Sequence, residues 1–195
     1  MEFKKILKDI WYFIWKEDSI WSWLTNVLLA FILVKFIIYP LLGLLLVTSH
    51  PLVAVVSGSM EHDGSFENWW DSQSNWYTSH DFTKEQIKSW SFSNGFNKGD
   101  IMLLYGSKPK NIKLGDVIVF GSPLHSDPII HRVVNIKEEN SKIYFQTKGD
   151  HNPDIIVQLG ENNINEERYI GKAILRIPLL GWIKILFVEL INVFR

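Results

Sequence analysis

Three short stretches of the sequence carry residue types that can perform nucleophilic chemistry. Ser57 to Met60 follows an apolar stretch, His131 lies among branched residues, and a turn contains Asp150 and Asp154. A serine hydroxyl is a poor nucleophile until a base removes its proton, and histidine suits this task because its ordinary pKa lies near neutrality. A carboxylate can fix the tautomer of the imidazole and stabilise its protonated form. The chain therefore supplies serine, histidine and aspartate for acyl transfer, in that order.

Each stretch also has an ordinary structural interpretation. Ser-Gly-Ser and aspartates are common in turns, and a histidine in a strand is commonly a half-buried structural residue. The chain has six histidines, so a Ser-His-Asp set arises easily by chance. His62, three residues after Ser59, is a second candidate for the base, and spacing alone does not choose between it and His131.

The first element that must position these residues is a predicted membrane anchor. Val27 to Val47 is apolar except for Lys35 and is long enough to cross a hydrocarbon core of about 30 Å. Residues 3–15 have the apolar spacing of an amphipathic helix, a type of helix that can lie at a membrane surface. We therefore expect an amphipathic segment over residues 1–20 and a transmembrane anchor over residues 21–48.

The distribution of basic residues predicts the orientation of this anchor. Lys4, Lys5, Lys8 and Lys16 precede the apolar run, and no Lys or Arg occurs from Phe36 to Thr83. Positively charged residues flank membrane spans on the cytoplasmic side. We expect the protein in the cell membrane, with residues 1–20 in the cytoplasm and the remainder after the anchor on the extracytoplasmic side.

Residues 49–177 have the pattern of a β-rich domain built from short strands. Turn residues separate six runs of β-favouring residues. The predicted strands are Leu52–Val56, Ile101–Tyr105, Val117–Phe120, Ile129–Ile136, Lys142–Thr147 and Ile170–Ile177. The fold class expected is therefore mainly β, tethered by an N-terminal transmembrane helix.

Two segments of this region do not follow the strand pattern. Residues 61–98 form an aromatic insertion, which is either a surface insertion with its own aromatic cluster or a lid or membrane-facing flap near Ser59. Within it, Thr83 begins a capping-box sequence that predicts a short helix ending near Trp90. Residues 178–195 form a C-terminal apolar helix, for which an interfacial position and a second span both remain open.

Composition narrows the classes of function. The net charge is -1 and the basic residues are scattered, so we expect no nucleic-acid partner. The chain has no cysteine, which excludes disulfides, thiolate metal sites and cysteine nucleophiles.

Several blocks of the chain resemble type I signal peptidases of the archaeal and endoplasmic-reticulum branch. The blocks are Val56 to Glu61, Gly115 to Val119, Ile130 to Val133, Thr147 to Asp150, and a late Ile170-Gly-Lys followed by Ile177 to Gly181. Each block is short, but their order and spacing together are specific. The bacterial branch has a lysine where His131 stands, so the histidine places the resemblance in the other branch.

The resemblance implies a role for each matching residue. Ser59 would be the nucleophile and His131 the general base. The hydroxyl of Ser57 and the backbone N–H of Ser59 would stabilise the oxyanion, and Met60 would belong to the substrate-binding surface. The family implies a fold with a signal-peptidase-like catalytic domain.

The sequence departs from the family's pattern at the third catalytic residue. The branch commonly has a second aspartate six residues after the first, whereas Asp154 follows Asp150 by four. Both aspartates remain candidates, with a preference for Asp154. The family also has a proline where His62 stands, and it lacks the long insertion that follows here.

The function implied is that of a membrane-bound serine endopeptidase that removes N-terminal signal peptides from exported preproteins. The substrate would bind as an added strand in an apolar groove beside Ser59. Its partners would be signal peptides, the lipid membrane and the protein-export channel, and no cofactor or metal is implied.

Two alternatives belong to other classes of protein. One is a metal-dependent hydrolase whose ligands come from His125, His131, His151 and Asp150. The other is a non-catalytic, membrane-tethered binding domain whose aromatic insertion recognises a partner.

Overall fold

The N-terminal part of the chain is helical. The structure is a computed structural model that describes residues 2–193, and the chain divides into two units after Leu45. The first unit contains helices α1 (Glu2–Trp15), α2 (Ile20–Leu33) and α3 (Tyr39–Leu45), with a π-helical turn at Val34–Ile38 joining the last two. Among the described residues, Ile20–Leu45 is the one helix long and apolar enough to cross a membrane, and its 26 residues extend about 39 Å.

Pro40 explains the irregular turn within this apolar helix. Proline has no N–H to donate to the carbonyl four residues earlier, so the regular ladder is interrupted before it. Tyr39 N–H donates instead to the carbonyl of Val34, five residues back. Lys35 lies in the same turn, and its Nζ is 5.4 Å from the ring centre of Phe31. The helix therefore continues past the proline with one wider turn.

The second unit is built around a six-stranded antiparallel sheet. Its strands lie in the order β1-β2-β6-β3-β4-β5. The strands are β1 (Leu52–Ala54), β2 (Ile101–Tyr105), β3 (Val117–Phe120), β4 (Ile129–Glu139), β5 (Lys142–Lys148) and β6 (Tyr169–Ile177). All six predicted strands form, with ends that differ by a few residues, and the mainly β fold with an N-terminal apolar helix is confirmed.

Strand β3 lies between two apolar clusters. Val117 and Val119 pack in one cluster, whereas Ile118 and Phe120 pack in the other. Successive side chains of a strand point to opposite faces of the sheet, so a strand covered on both faces is apolar at every position. Burial of β3 also fixes the neighbouring β4, whose His131 pairs directly with Ile118.

Two similar turns start strands β2 and β3. Gly99 and Gly115 have φ values of 91° and 85°, a left-handed conformation that glycine adopts without steric cost. Asp100 and Asp116 follow, and each accepts a hydrogen bond from the backbone N–H three residues earlier, at 2.8 and 2.9 Å. The two Gly-Asp sequences therefore encode the same local turn.

The aromatic insertion folds into two helices, α4 (Phe66–Ser79) and α5 (Lys84–Lys88). The predicted cap is present, since Thr83 Oγ1 accepts the Gln86 N–H at 3.2 Å, and the helix ends two residues earlier than expected. The insertion forms an aromatic cluster that packs against Val134 of β4; the rings belong to Phe66, Trp69, Trp70, Trp76, Tyr77, Phe82 and Trp90. This agrees with an insertion that has its own aromatic core.

The C-terminal helix α6 spans Trp182–Val193. Its 12 residues extend about 18 Å, less than the thickness of a hydrocarbon core of about 30 Å. Ile185 is buried, whereas Ile183 and Phe187 are 70% and 64% exposed. The last two residues of the predicted 178–195 segment lie outside the described residues.

Candidate active site

Ser59 lies in the turn that follows β1. Val55 N–H donates to the Asp100 carbonyl at 2.9 Å, so the chain remains paired to its neighbour just before this turn. The carbonyl of Ser59 accepts the His151 N–H at 2.8 Å, which ties the turn to the segment after β5. The hydroxyl of Ser59 is thus held on a fixed backbone between two parts of the sheet.

Met60 holds this turn against the hydrophobic core. Its side chain is fully buried in an apolar cluster, and its sulfur accepts the Asp150 N–H at 3.4 Å. The prediction that Met60 belongs to the substrate-binding surface does not agree with this position. A long apolar side chain gains free energy from burial, and here the core is directly beneath the turn.

His131 of β4 is next to the serine hydroxyl. Its Nε2 lies 2.8 Å from Ser59 Oγ, and its side chain is nearly completely buried. The hydroxyl of Ser57 lies 3.1 Å from Ser59 Oγ on the solvent side. The structure therefore brings together three of the residues that the sequence singled out.

Glu161 occupies the other side of the imidazole. Its Oε1 accepts a hydrogen bond from Nδ1 of His131, which leaves Nε2 to accept the proton of Ser59. Glu161 follows a single 3-10 turn at Val157–Leu159 and the left-handed Gly160, and its side chain is fully buried. No motif of the sequence pointed to Glu161, and its only local signal is a glycine-ended turn directly before a carboxylate.

Asp150 lies in a different buried network. The guanidinium of Arg132 donates to both of its oxygens, at 2.8 and 2.6 Å, and His62 Nε2 donates at 2.9 Å. Burial by itself raises the pKa of Asp150, but Arg132 and His62 outweigh it and hold that pKa well below its ordinary value. Both carboxylate oxygens are thus engaged with Arg132 and His62 rather than with the imidazole of His131.

Asp154, the preferred candidate for the third catalytic residue, is not brought to His131. Its Oδ1 accepts the indole N–H of Trp76 and the backbone N–H of Ile155, both at 2.7 Å. The carboxylate is exposed at the surface of the turn. This corrects the expected geometry, because the aromatic insertion holds the side chain away from β4.

His62 is excluded as the base by its surroundings. Its ring is 2% exposed and stacks on the Trp69 ring with centroids 4.2 Å apart. Its Nε2 is directed to Asp150, not to Ser59. His62 therefore belongs to the contact between the insertion and the sheet.

The insertion also encloses Lys148, at the end of β5. The Nζ of Lys148 lies 5.1 and 5.0 Å from the ring centres of Trp76 and Tyr77, and it donates to the Gly149 carbonyl at 3.1 Å. Burial lowers the pKa of Lys148 to about 8. The aromatic insertion thus supports the turn behind the Ser59 site from the side opposite to the groove.

A groove with a volume of about 400 Å³ opens beside Ser59 and His131. Its walls include the apolar side chains of Val56, Ile156 and Leu159, and no residue of the 61–98 insertion lines it. A groove with a largely apolar lining suits a ligand with apolar side chains. The residues that line the groove therefore do not agree with the interpretation of the insertion as a lid over Ser59.

Among the described residues, the side chains of His125, His131, His151 and Asp150 do not form a metal-binding group. Across residues 2–193 no group of three or more His, Asp or Glu side chains is arranged to hold a metal ion. Of the four candidates, both ring nitrogens of His131 and both oxygens of Asp150 already have hydrogen-bond partners. His151 instead faces Asp63, with Nδ1 3.5 Å from the carboxylate.

Comparison with known proteins agrees with the resemblance noted in the sequence. No family model matches the chain. The signal peptidase complex catalytic subunit SEC11 of Yarrowia lipolytica is 27% identical over 159 residues, which cover 80% of this chain and 73% of the relative. SEC11 of Komagataella phaffii is 28% identical over 166 residues, covering 79% and 76%.

A mammalian relative matches a shorter stretch. The catalytic subunit SEC11C of Homo sapiens is 30% identical over 104 residues, which cover 51% of this chain and 54% of the relative. The chain therefore spans about half the length of this relative and about three quarters of the fungal ones. These similarities confirm the resemblance to signal peptidases of the endoplasmic-reticulum type.

Proposed function

Because the chain is a relative of signal peptidase catalytic subunits, we propose that it is a membrane-bound serine endopeptidase that removes N-terminal signal peptides from exported preproteins. The observation that carries this proposal is the 2.8 Å contact between Ser59 Oγ and His131 Nε2 at the end of an apolar groove. The geometry supports acyl transfer, because the base lies within hydrogen-bonding distance of the nucleophile's proton.

In the proposed reaction Ser59 Oγ attacks the carbonyl carbon of the scissile peptide bond. His131 takes the hydroxyl proton at Nε2 and then gives it to the leaving amine. The developing oxyanion is stabilised by the hydroxyl of Ser57 and the backbone N–H of Ser59. Water then cleaves the acyl-enzyme, with His131 acting as the base a second time.

The substrate is proposed to bind as an extended strand in the apolar groove. Strand β1 lies at one edge of the sheet, so its outer side is available for an added strand. Main-chain hydrogen bonds would supply affinity, and the apolar side chains of Ile156 and Leu159 would favour small residues before the cut. This supports a role in recognising the C-terminal end of a signal peptide.

Cleavage of a preprotein tests this function directly. The detergent-solubilised protein should release a signal peptide from a preprotein, and a chelator should leave the rate unchanged, because the proposed chemistry uses no metal. Intact and cleaved preprotein are measured by electrophoresis and the cut site by mass spectrometry. Loss of cleavage with chelator would favour a metal-dependent hydrolase, and binding without cleavage would favour a non-catalytic binding domain.

The catalytic domain is proposed to lie on the extracytoplasmic side of the cell membrane. The four lysines before the Ile20–Leu45 helix support this orientation. Because the chain has no cysteine, single cysteines report topology without background. In sealed right-side-out vesicles, Glu85→Cys on the exposed surface of α5 should react with a membrane-impermeant maleimide, and Lys5→Cys should react only after detergent is added. The reverse pattern would overturn the orientation.

The C-terminal helix α6 is proposed to lie in the membrane interface rather than to span. Its described length of about 18 Å and the exposure of Ile183, Leu186 and Phe187 support this position.

The protein-export channel is proposed as a neighbour, because signal peptides emerge from it at the membrane surface where the site would lie.

A further inference from the structure

Glu161 is the carboxylate that faces the catalytic imidazole. Its side chain is fully buried, and its two oxygens receive different donors. Oε1 accepts from His131 Nδ1 and from the Thr147 hydroxyl at 3.3 Å, while Oε2 accepts the Ile156 N–H at 2.6 Å. A buried carboxylate with donors on both oxygens is held in one orientation.

Its neighbours in sequence fix this side chain beside β5, the edge strand of the sheet. The 3-10 turn at Val157–Leu159 ends at Gly160, whose φ of 72° reverses the chain direction. The carbonyl of Glu161 then accepts the Thr147 N–H of β5 at 3.0 Å. Both the backbone and the side chain of Glu161 are therefore tied to β5, the strand next to the one that carries His131.

Neither aspartate candidate can replace this contact. Asp150 is paired with Arg132, whose side chain points to the opposite face of β4 because it directly follows His131 in the strand. Asp154 is exposed and binds the indole of Trp76. A carboxylate that accepts a hydrogen bond from Nδ1 of the histidine holds the imidazole in the tautomer whose Nε2 can accept the serine proton.

We propose that Glu161, and not an aspartate, is the positioning residue of His131, and that it couples the imidazole to the wall of the substrate groove. This rests on the proposed peptidase function. The coupling follows from the second oxygen, because the Ile156 N–H that it accepts belongs to a residue lining the groove. Displacement of the groove wall at Ile156 would therefore also move the carboxylate of Glu161, which orients His131.

Glu161→Gln separates the charge of this residue from its shape. The amide has one acceptor and one donor group, whereas the site presents an N–H on each side, from His131 and from Ile156. With the amide oxygen on Ile156, its NH₂ faces Nδ1 and favours the tautomer whose Nε2 carries the proton. Turnover should fall by about 10⁴-fold, as for loss of the orienting carboxylate in a Ser-His-Asp enzyme.

The tautomer of His131 provides a readout that a structural role would not change. In ¹⁵N-histidine-labelled protein in detergent, the wild type should show the Nδ1–H form of His131, assigned with His131→Ala. Glu161→Gln should show the Nε2–H form. A folded Glu161→Gln protein with wild-type turnover and an unchanged tautomer would overturn the proposal.

Glu161→Asp keeps the proposal testable where the amide prevents folding. It retains the negative charge, but the shorter side chain cannot reach both His131 and Ile156. A misplacement of about 1 Å costs up to about 10²-fold in rate, so turnover should fall by about ten- to a hundredfold with the Nδ1–H tautomer retained. Wild-type turnover in this variant would contradict the proposed positioning.

Two aspartate variants serve as matched controls. Asp154→Asn should retain wild-type turnover, because its carboxylate contacts only the turn and Trp76. Asp150→Asn should lower the unfolding temperature, because it leaves the buried charge of Arg132 without its partner. Loss of turnover in folded Asp154→Asn would refute the role given to Glu161. If the wild-type protein releases no signal peptide from a preprotein while Glu161→Gln still changes the tautomer of His131, the peptidase function fails and the positioning of His131 by Glu161 stands.

Discussion

Ser59→Ala should leave only background cleavage of a preprotein, whereas Ser57→Ala should leave a reduced but measurable rate. Ser59 Oγ is the hydroxyl in contact with His131 Nε2, so its removal deletes the atom that forms the acyl-enzyme. Ser57 is 3.1 Å from Ser59 Oγ and is proposed to donate to the oxyanion. Loss of one such donor costs about 10²–10³ in rate.

The turnover of Ser59→Ala and Ser57→Ala can be compared directly, because neither substitution disturbs the hydrophobic core. Ser57 is exposed and Ser59 only half-buried, so both variants should unfold at the wild-type temperature. Turnover per folded molecule is measured with one preprotein under identical detergent conditions. If Ser57→Ala is inactive while Ser59→Ala still cleaves, the assignment of the nucleophile is wrong.

His131→Ala should lower turnover by at least about 10⁴-fold, because the serine proton then has no acceptor. The measurement is turnover per folded molecule, with circular dichroism to show that the variant stays folded.

His62→Ala is the matched control for this prediction. His62 is buried against Trp69 and hydrogen-bonded to Asp150, so its loss should lower stability and leave turnover per folded molecule near the wild-type level. An inactive, folded His62→Ala beside an active His131→Ala would make His62 the base.

The lowered pKa of Asp150 also predicts how its buried network responds to acid. The network stabilises the fold above the unfolded pKa of about 3.9, and this contribution is lost only in stronger acid.

Local patterns in the sequence were sufficient to predict the strands and the long N-terminal apolar helix. The apolar run that includes Val27 to Val47 is long and nearly uncharged, and the branched residues of β3 and β4 lie between clear turn signals. These features act within a few residues of each other, so they need no knowledge of distant contacts. The same holds for the Gly-Asp turns, where glycine alone provides the left-handed backbone.

The sequence alone also determined the candidate nucleophile and base, through the short blocks around Ser59 and His131. The carboxylate was decided only by the tertiary structure, because Glu161 lies 30 residues from His131 along the chain and in no matching block. Successive side chains of β4 point to opposite faces of the sheet, so Arg132 lies on the face opposite His131. Asp150 forms an ion pair with Arg132 and therefore lies on that face too. Which of several carboxylates reaches an imidazole depends on which face of the sheet each one occupies, and that arrangement forms only when distant segments pack together.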